Sequence, residues 1–148
     1  MSSAAKRAEL RGTGVIIRAA ILAAATAALA YLAFPLPFSP VPITGQSFGA
    51  MIAGLLLPPG AAMGSQLAYL LAGAVGLPVY AGGRAGIGVL FGPTGGYLWG
   101  LAAGSYVTSA IVESGTRRAQ IPTTSRCIAA SIVGGVFILY ALGVVQLA

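Results

Sequence analysis

Five apolar runs, separated by short stretches rich in proline, glycine or arginine, set the pattern of this chain. The first covers residues 15–34 and is interrupted only by Arg18 and Thr26; its 20 residues are about enough to cross a ~30 Å hydrocarbon layer as a helix. The second, residues 45–57, is short for a span and ends at Pro58-Pro59-Gly60. The third, residues 61–77, carries Ser65, Gln66 and Tyr69 as its polar members. The fourth starts at Pro93-Thr94, where proline suits a first helical position, and continues to Val112. The fifth runs from Cys127 to Leu147.

The connections are just as patterned. Residues 34–42 read FPLPFSPVP, and four prolines in nine residues forbid helix and favour a stiff extended segment. Thr44 then has the chemistry of a helix N-cap, with Gln46 in the first turn. Residues 76–97, GLPVYAGGRAGIGVLFGPTGGY, place one arginine, Arg84, among glycines. Residues 114–120 form a polar loop with Arg117 and Arg118. Residues 1–14 are polar and basic, and are expected to be irregular or to lie on a membrane surface.

Composition turns this pattern into a class. Hydrophobic residues make up 57% and charged residues only 7%, whereas a soluble domain carries about 25% charged residues. A chain of mean hydropathy +0.92 cannot cover a soluble surface with so few charges. The long runs also lack the alternation of a membrane barrel. The expected fold class is therefore an all-α integral membrane bundle of about five runs, forming one transmembrane helical domain over residues 15–148 after the basic N-terminus.

Charge placement gives an orientation. Lys6, Arg7, Arg11 and Arg18 precede or open the first run, and Arg117, Arg118 and Arg126 lie between the fourth and fifth. With alternating runs both clusters share a side, so the N-terminus is expected in the cytoplasm. The net charge of +6 thus serves orientation rather than nucleic-acid binding. The first run also meets the outline of a signal peptide, with Ala28-Leu29-Ala30 resembling a cleavage site. The apolar run continues past that site, and cleavage there would remove a whole span.

Arg84 is then the one basic residue on the outer face. The starts of the second and fourth runs, near Thr44 and Thr94, point the same way with unpaired N–H groups and positive dipole ends. Together these would suit an anionic group such as a carboxylate. Gly82, Gly83, Gly95 and Gly96 would allow close backbone approach, and Tyr69, Tyr80, Tyr97 and Trp99 could supply walls with polar tips. Plainer readings stand beside these: Arg84 as an exposed loop charge, the glycines as helix contacts, the aromatics as interface anchors. On the first run, Ala20, Ala24 and Ala28 form one smooth row at spacing four, and Ala19, Ala23 and Ala27 form its neighbour. Either could pack inside the bundle or against another helix.

The chain has no His, Asp or Asn, and its only acids are Glu9 and Glu113. A metal site of the usual ligands and a Ser-His-Asp or Cys-His system are therefore not available. Cys127 stands alone, without a disulfide partner. A membrane enzyme would have to rely on Glu113 or Cys127.

Residues 40–57 (PVPITGQSFGAMIAGLLL) and 73–100 (GAVGLPVYAGGRAGIGVLFGPTGGYLWG) resemble the BioY family, the biotin-binding S components of energy-coupling factor (ECF) transporters. The resemblance implies biotin uptake by a multi-pass protein of the bacterial inner membrane, with biotin as transported ligand and no cofactor. It implies a T-component membrane protein and cytoplasmic ATPases as partners, the T component being met through small residues such as Ala20, Ala24 and Ala28. With biotin as the ligand, the outer-face residues give an expected site of Thr44, Gln46, Tyr69, Tyr80, Gly83, Arg84, Thr94, Gly95 and Tyr97. The family normally has six helices, the last opening with a PxxPGDxxK-like stretch, so this chain is expected to lack the final helix. It also lacks the family's Asn and Asp around the ureido ring, leaving Gln46, Gln66, Tyr69, Thr94 and backbone groups to substitute. A remnant that does not transport, or an S component for another small anionic vitamin, are the alternatives.

Overall fold

The computed structural model describes the backbone at residues 3–119 and 123–148, with side chains at 11–38, 43–115 and 123–148. The side chains of Lys6, Arg7, Arg117 and Arg118, and residues 120–122, lie outside the described residues.

α1 spans Ser3–Leu29, beginning well before the first apolar run. The helix thus includes residues 3–14, for which an irregular segment or one lying on a membrane surface is expected; no proline interrupts them. The proline-rich segment is extended, as its composition demands, but it is also paired. β1 (Ala33–Leu36) and β2 (Ser39–Thr44) form an antiparallel hairpin in the register Ala33↔Thr44, Phe34↔Ile43 and Leu36↔Ser39. The register is irregular between Phe34 and Leu36, where Pro35 has no N–H to give the ladder. The Gly45 N–H closes the hairpin onto the Leu32 carbonyl at 2.9 Å. The all-α expectation therefore holds for the bundle, with this hairpin as an addition.

α2 spans Gln46–Leu56, and its N-cap is Gly45 rather than Thr44. The Thr44 hydroxyl instead donates to the Gln46 side-chain Oε1, 3.0 Å away. Pro58 halts α2, and α3 (Pro59–Ala74) starts with proline in its first turn. The following glycines permit a tight path: Gly76, Gly82, Gly83 and Gly86 all have positive φ. A single helical turn, α4 (Ile87–Leu90), precedes α5 (Gly95–Ala119). Pro93 and Thr94 sit in the turn before α5, and α5 runs on through the stretch expected to be a polar loop. α6 (Thr124–Ile132), a π-helical segment (Val133–Ile138) and α7 (Leu139–Leu147) form one continuous rod.

Among the described residues, two helices, Arg11–Leu29 and Thr124–Leu147, are long and apolar enough to cross a membrane by length and composition. Their outward faces are apolar: Ile16, Ile17 and Ile21 on α1, and Phe137, Val144 and Val145 on the last rod, are exposed.

α5 is the hub, packed against α2, α3 and the α6–α7 rod. Gly96, Gly100 and Gly104 recur every four residues along one face of α5 and meet the backbone of Leu142, Leu139 and Gly134 in turn. At the crossing the contact is reciprocal, since a Cβ on Gly104 or on Gly134 would strike the other's carbonyl. Small residues let two backbones approach closely enough for dispersion to hold them, which is how helices associate in lipid. Beside this crossing, Thr108 is fully buried and its hydroxyl donates to the Ala130 carbonyl at 3.2 Å.

Replacing Gly104 with leucine should overpack this crossing and destabilise the bundle by about 1–3 kcal/mol. Leucine at Gly64, whose added Cβ would meet nothing within 4 Å, is the control. Thermal melts in detergent should separate the two; equal melting temperatures would contradict this account of α5.

Candidate functional site

One end of the bundle gathers the hairpin, the starts of α2 and α5, the glycine-rich loop and the end of α7. The loop is tied there at several points. Gly82 N–H reaches the Ala30 carbonyl at 3.4 Å, Gly86 N–H the Gly73 carbonyl at 2.8 Å, and the Tyr31 hydroxyl the Pro78 carbonyl at 2.5 Å. The Gln146 amide, near the end of α7, donates to the carbonyls of Leu90 and Gly92 at 3.2 and 2.9 Å.

Between these elements lies a cavity of about 130 Å³, open to one side. Leu98, Leu101 and Leu139 make an apolar wall, while Thr44, Gln46, Ser47, Arg84 and Thr94 bring polar groups to it. Both helix starts named in the sequence therefore open onto the same space. At α2 the first main-chain bond in the helical sense is Gly49 N–H to Gly45 carbonyl, leaving the N–H groups of Gln46, Ser47 and Phe48 without intrahelical partners.

Arg84 is held by its backbone, not its side chain. Its carbonyl accepts the Tyr80 N–H at 3.0 Å in an isolated bridge across the Ala81–Gly83 turn. Its guanidinium is exposed, lines the cavity, and has no hydrogen-bond or ion-pair partner among the described residues. A cation carried beside two helix N-termini makes this rim attractive to an anion.

Tyr80 anchors the turn from below. It is 1% exposed, its ring fills the space where Gly73 lacks a side chain, and its hydroxyl donates to the Leu70 carbonyl at 2.5 Å. Desolvation pushes the Tyr80 phenol above its ordinary range, so it remains protonated and able to donate.

Six of the nine expected ligand residues line the cavity: Thr44, Gln46, Tyr80, Arg84, Thr94 and Tyr97. The other three sit elsewhere. Tyr69 is buried behind Gln46. Gly83 faces the Tyr31 ring. Gly95 is packed against the Leu90 carbonyl and Gln146. Gly96 likewise serves helix packing, and Trp99 is outside the cavity lining. Gln66 is fully buried away from the cavity, its Nε2 3.3 Å from the Thr26 hydroxyl.

Sequence reasoning missed Tyr140. It lines the cavity from α7 and meets Tyr97 edge-to-face, with ring centroids 5.6 Å apart. Tyr97 is itself seated over Gly143. The available signal was a tyrosine in the half of the fifth run that returns to the Arg84 end.

On α1 the structure separates the two alanine rows. Ala19, Ala23 and Ala27 pack against the core clusters, whereas Ala20, Ala24 and Ala28 are exposed.

A helical membrane bundle holding a cavity that is apolar in depth and cationic at its rim defines a small-solute binding protein of the membrane. The sequence pattern of the BioY family matches residues 2–148, and the chain belongs to that family. It is 41% identical over 139 residues to the biotin transporter BioY of Rhizobium etli, covering 90% of this chain and 73% of that protein. With the biotin transporter BioY of Rhodobacter capsulatus it shares 43% over 127 residues, covering 84% of this chain and 64% of the relative. The crystal structure of the S-component for biotin from an ECF-type ABC transporter superposes with a TM-score of 0.84 at 26% identity. That match covers 99% of this chain and 75% of the other. The chain thus spans about two thirds to three quarters of the length of these relatives.

Proposed function

We propose that this chain captures biotin as the substrate-binding subunit of an ECF-type transporter, with the ligand in the cavity between α2, α5, α7 and the glycine-rich loop. The observation that carries the reading is the Arg84 guanidinium, without a hydrogen-bond or ion-pair partner among the described residues, at the rim of that cavity beside two helix starts. Biotin carries one carboxylate, a flexible apolar chain and a polar fused ring. A cation at the rim suits the first, and the leucine wall suits the second. The relatives are named as biotin transporters and biotin S-component, which supports the same ligand and the same non-catalytic role here.

The cavity end faces the outside of the cell and the N-terminus lies in the cytoplasm of a bacterium. In support, Arg11 and Arg18 on α1 and Arg126 on α6 belong to the end opposite Arg84, in keeping with positive charge on the cytoplasmic side. The exposed row Ala20, Ala24 and Ala28 is the face offered to the T component, while the cytoplasmic ATPases supply the energy. The row's support is its exposure on a helix whose neighbouring alanines already serve the core.

Two measurements test these assignments. Calorimetry on the detergent-solubilised protein should find biotin affinity reduced more than tenfold by Arg84→Ala, with affinity for the neutral biotin amide little changed. An equal loss for both ligands would refute the carboxylate assignment, and no binding by the unmodified protein would refute the biotin reading. For the partner face, Ala24→Trp should prevent co-purification with a T component while biotin affinity stays intact. Undiminished co-purification would place the contact elsewhere.

A further inference from the structure

Gln46 is the best-determined polar group in the cavity, and the reason lies outside the cavity. Its side chain is 6% exposed at the first position of α2. Its Oε1 accepts the Thr44 hydroxyl at 3.0 Å, and its Nε2 donates to the Tyr69 hydroxyl at 2.5 Å. Tyr69 in turn donates to the Val79 carbonyl at 2.9 Å. The direction of the whole chain follows from proton count. A backbone carbonyl only accepts, and a phenol has one proton, so the Tyr69 oxygen must accept from Gln46. The amide nitrogen of Gln46 is therefore committed to Tyr69 and its oxygen to Thr44. One N–H and one lone pair are left to face the cavity.

Tyr69 does not line that cavity; it stands in the layer behind it, 2% exposed. Its ring meets Tyr80 edge-to-face, with centroids 5.9 Å apart. One side chain on α3 thus touches both polar walls of the cavity: the start of α2 through Gln46, and the Arg84-bearing turn through Val79 and Tyr80.

We infer that Tyr69 is a positioning residue for ligand binding, acting through the Gln46 amide, which it fixes in one of its two flipped orientations. The inference rests on the biotin reading for its ligand, but its geometric content does not. Tyr69→Phe keeps the packing and removes both hydrogen bonds. The Gln46 nitrogen then loses its acceptor, and the amide is free to rotate and present the wrong atom to the ligand.

The test has a ligand arm and a ligand-free arm. By calorimetry, Tyr69→Phe should weaken biotin binding about tenfold. In a Gln46→Ala background the same substitution should change affinity less than twofold, because the group it positions is gone. An equal loss in both backgrounds would mean that Tyr69 merely supports the fold, and no loss in either would remove its role. The ligand-free arm uses the composition: the chain has four glutamines and no asparagine, so only four side-chain amide pairs appear in a 15N spectrum. The pair that vanishes in Gln46→Ala is that of Gln46. Tyr69→Phe should shift it while leaving the Gln146 pair in place. If the unmodified protein bound no biotin, the ligand assignment would fall alone, and an unmoved Gln46 pair would overturn the positioning role.

Discussion

Close approach of α5 to the α6–α7 rod is the constraint on which the rest of this structure depends. Lipid tails are as apolar as leucine, so the hydrophobic effect cannot hold helices together in a bilayer as it does in water. What remains is dispersion at short range and a few hydrogen bonds. Gly96, Gly100 and Gly104 supply the first by letting α5 reach the backbone of Leu142, Leu139 and Gly134. Thr108 adds one of the second by donating to the Ala130 carbonyl. The π-helical segment begins three residues beyond Ala130 and carries Gly134 and Gly135 at its start. Once this crossing is fixed, Tyr97 on α5 and Tyr140 on α7 come edge-to-face and close one side of the cavity.

The opposite side is built by polar commitment instead. A buried polar group left without a partner costs about 1–3 kcal/mol. Tyr69, Gln46 and Thr44 satisfy one another in a line that ends on the Val79 carbonyl. Tyr80 ends on the Leu70 carbonyl. These bonds hold the glycine-rich loop against α3 and leave the Arg84 guanidinium at the rim without a partner among the described residues. A rigid support below an unpaired cation is the arrangement expected of a site that pre-pays its ordering cost before a ligand arrives.

Much of this was legible in the sequence, and for local reasons. Run lengths and breaker residues marked the five helical stretches, although α1 starts earlier and α5 ends later than its run, and the proline run between α1 and α2 could only be extended. Alternation of the runs put Thr44, Gln46, Tyr80, Arg84, Thr94 and Tyr97 at one end. What stayed hidden depends on partners distant along the chain. The pairing of β1 with β2 is one case, because prolines usually discourage a ladder. The glycines are another: Gly83, Gly95 and Gly96 look like loop or ligand glycines until the Tyr31 ring, the Leu90 carbonyl and the Leu142 carbonyl are placed beside them. Tyr69 looked like a wall of the pocket, and only its bonds to Gln46 and Val79 reveal it as the layer behind. Tyr140 was marked only by its place in the second half of the fifth run. It joins the site because α7 returns to the same end.

The central claim is that biotin occupies this cavity from the outer face, and photolabelling tests it most directly. A biotin analogue bearing a diazirine on its side chain, with the carboxylate kept, would be applied to intact, energy-depleted cells making this protein. The account predicts labels around Thr44–Ser47 and Tyr80–Arg84 that free biotin competes away. Labels confined to the outward groove lined by Leu55, Ile128 and Ile132, or labels that biotin does not displace, would contradict it.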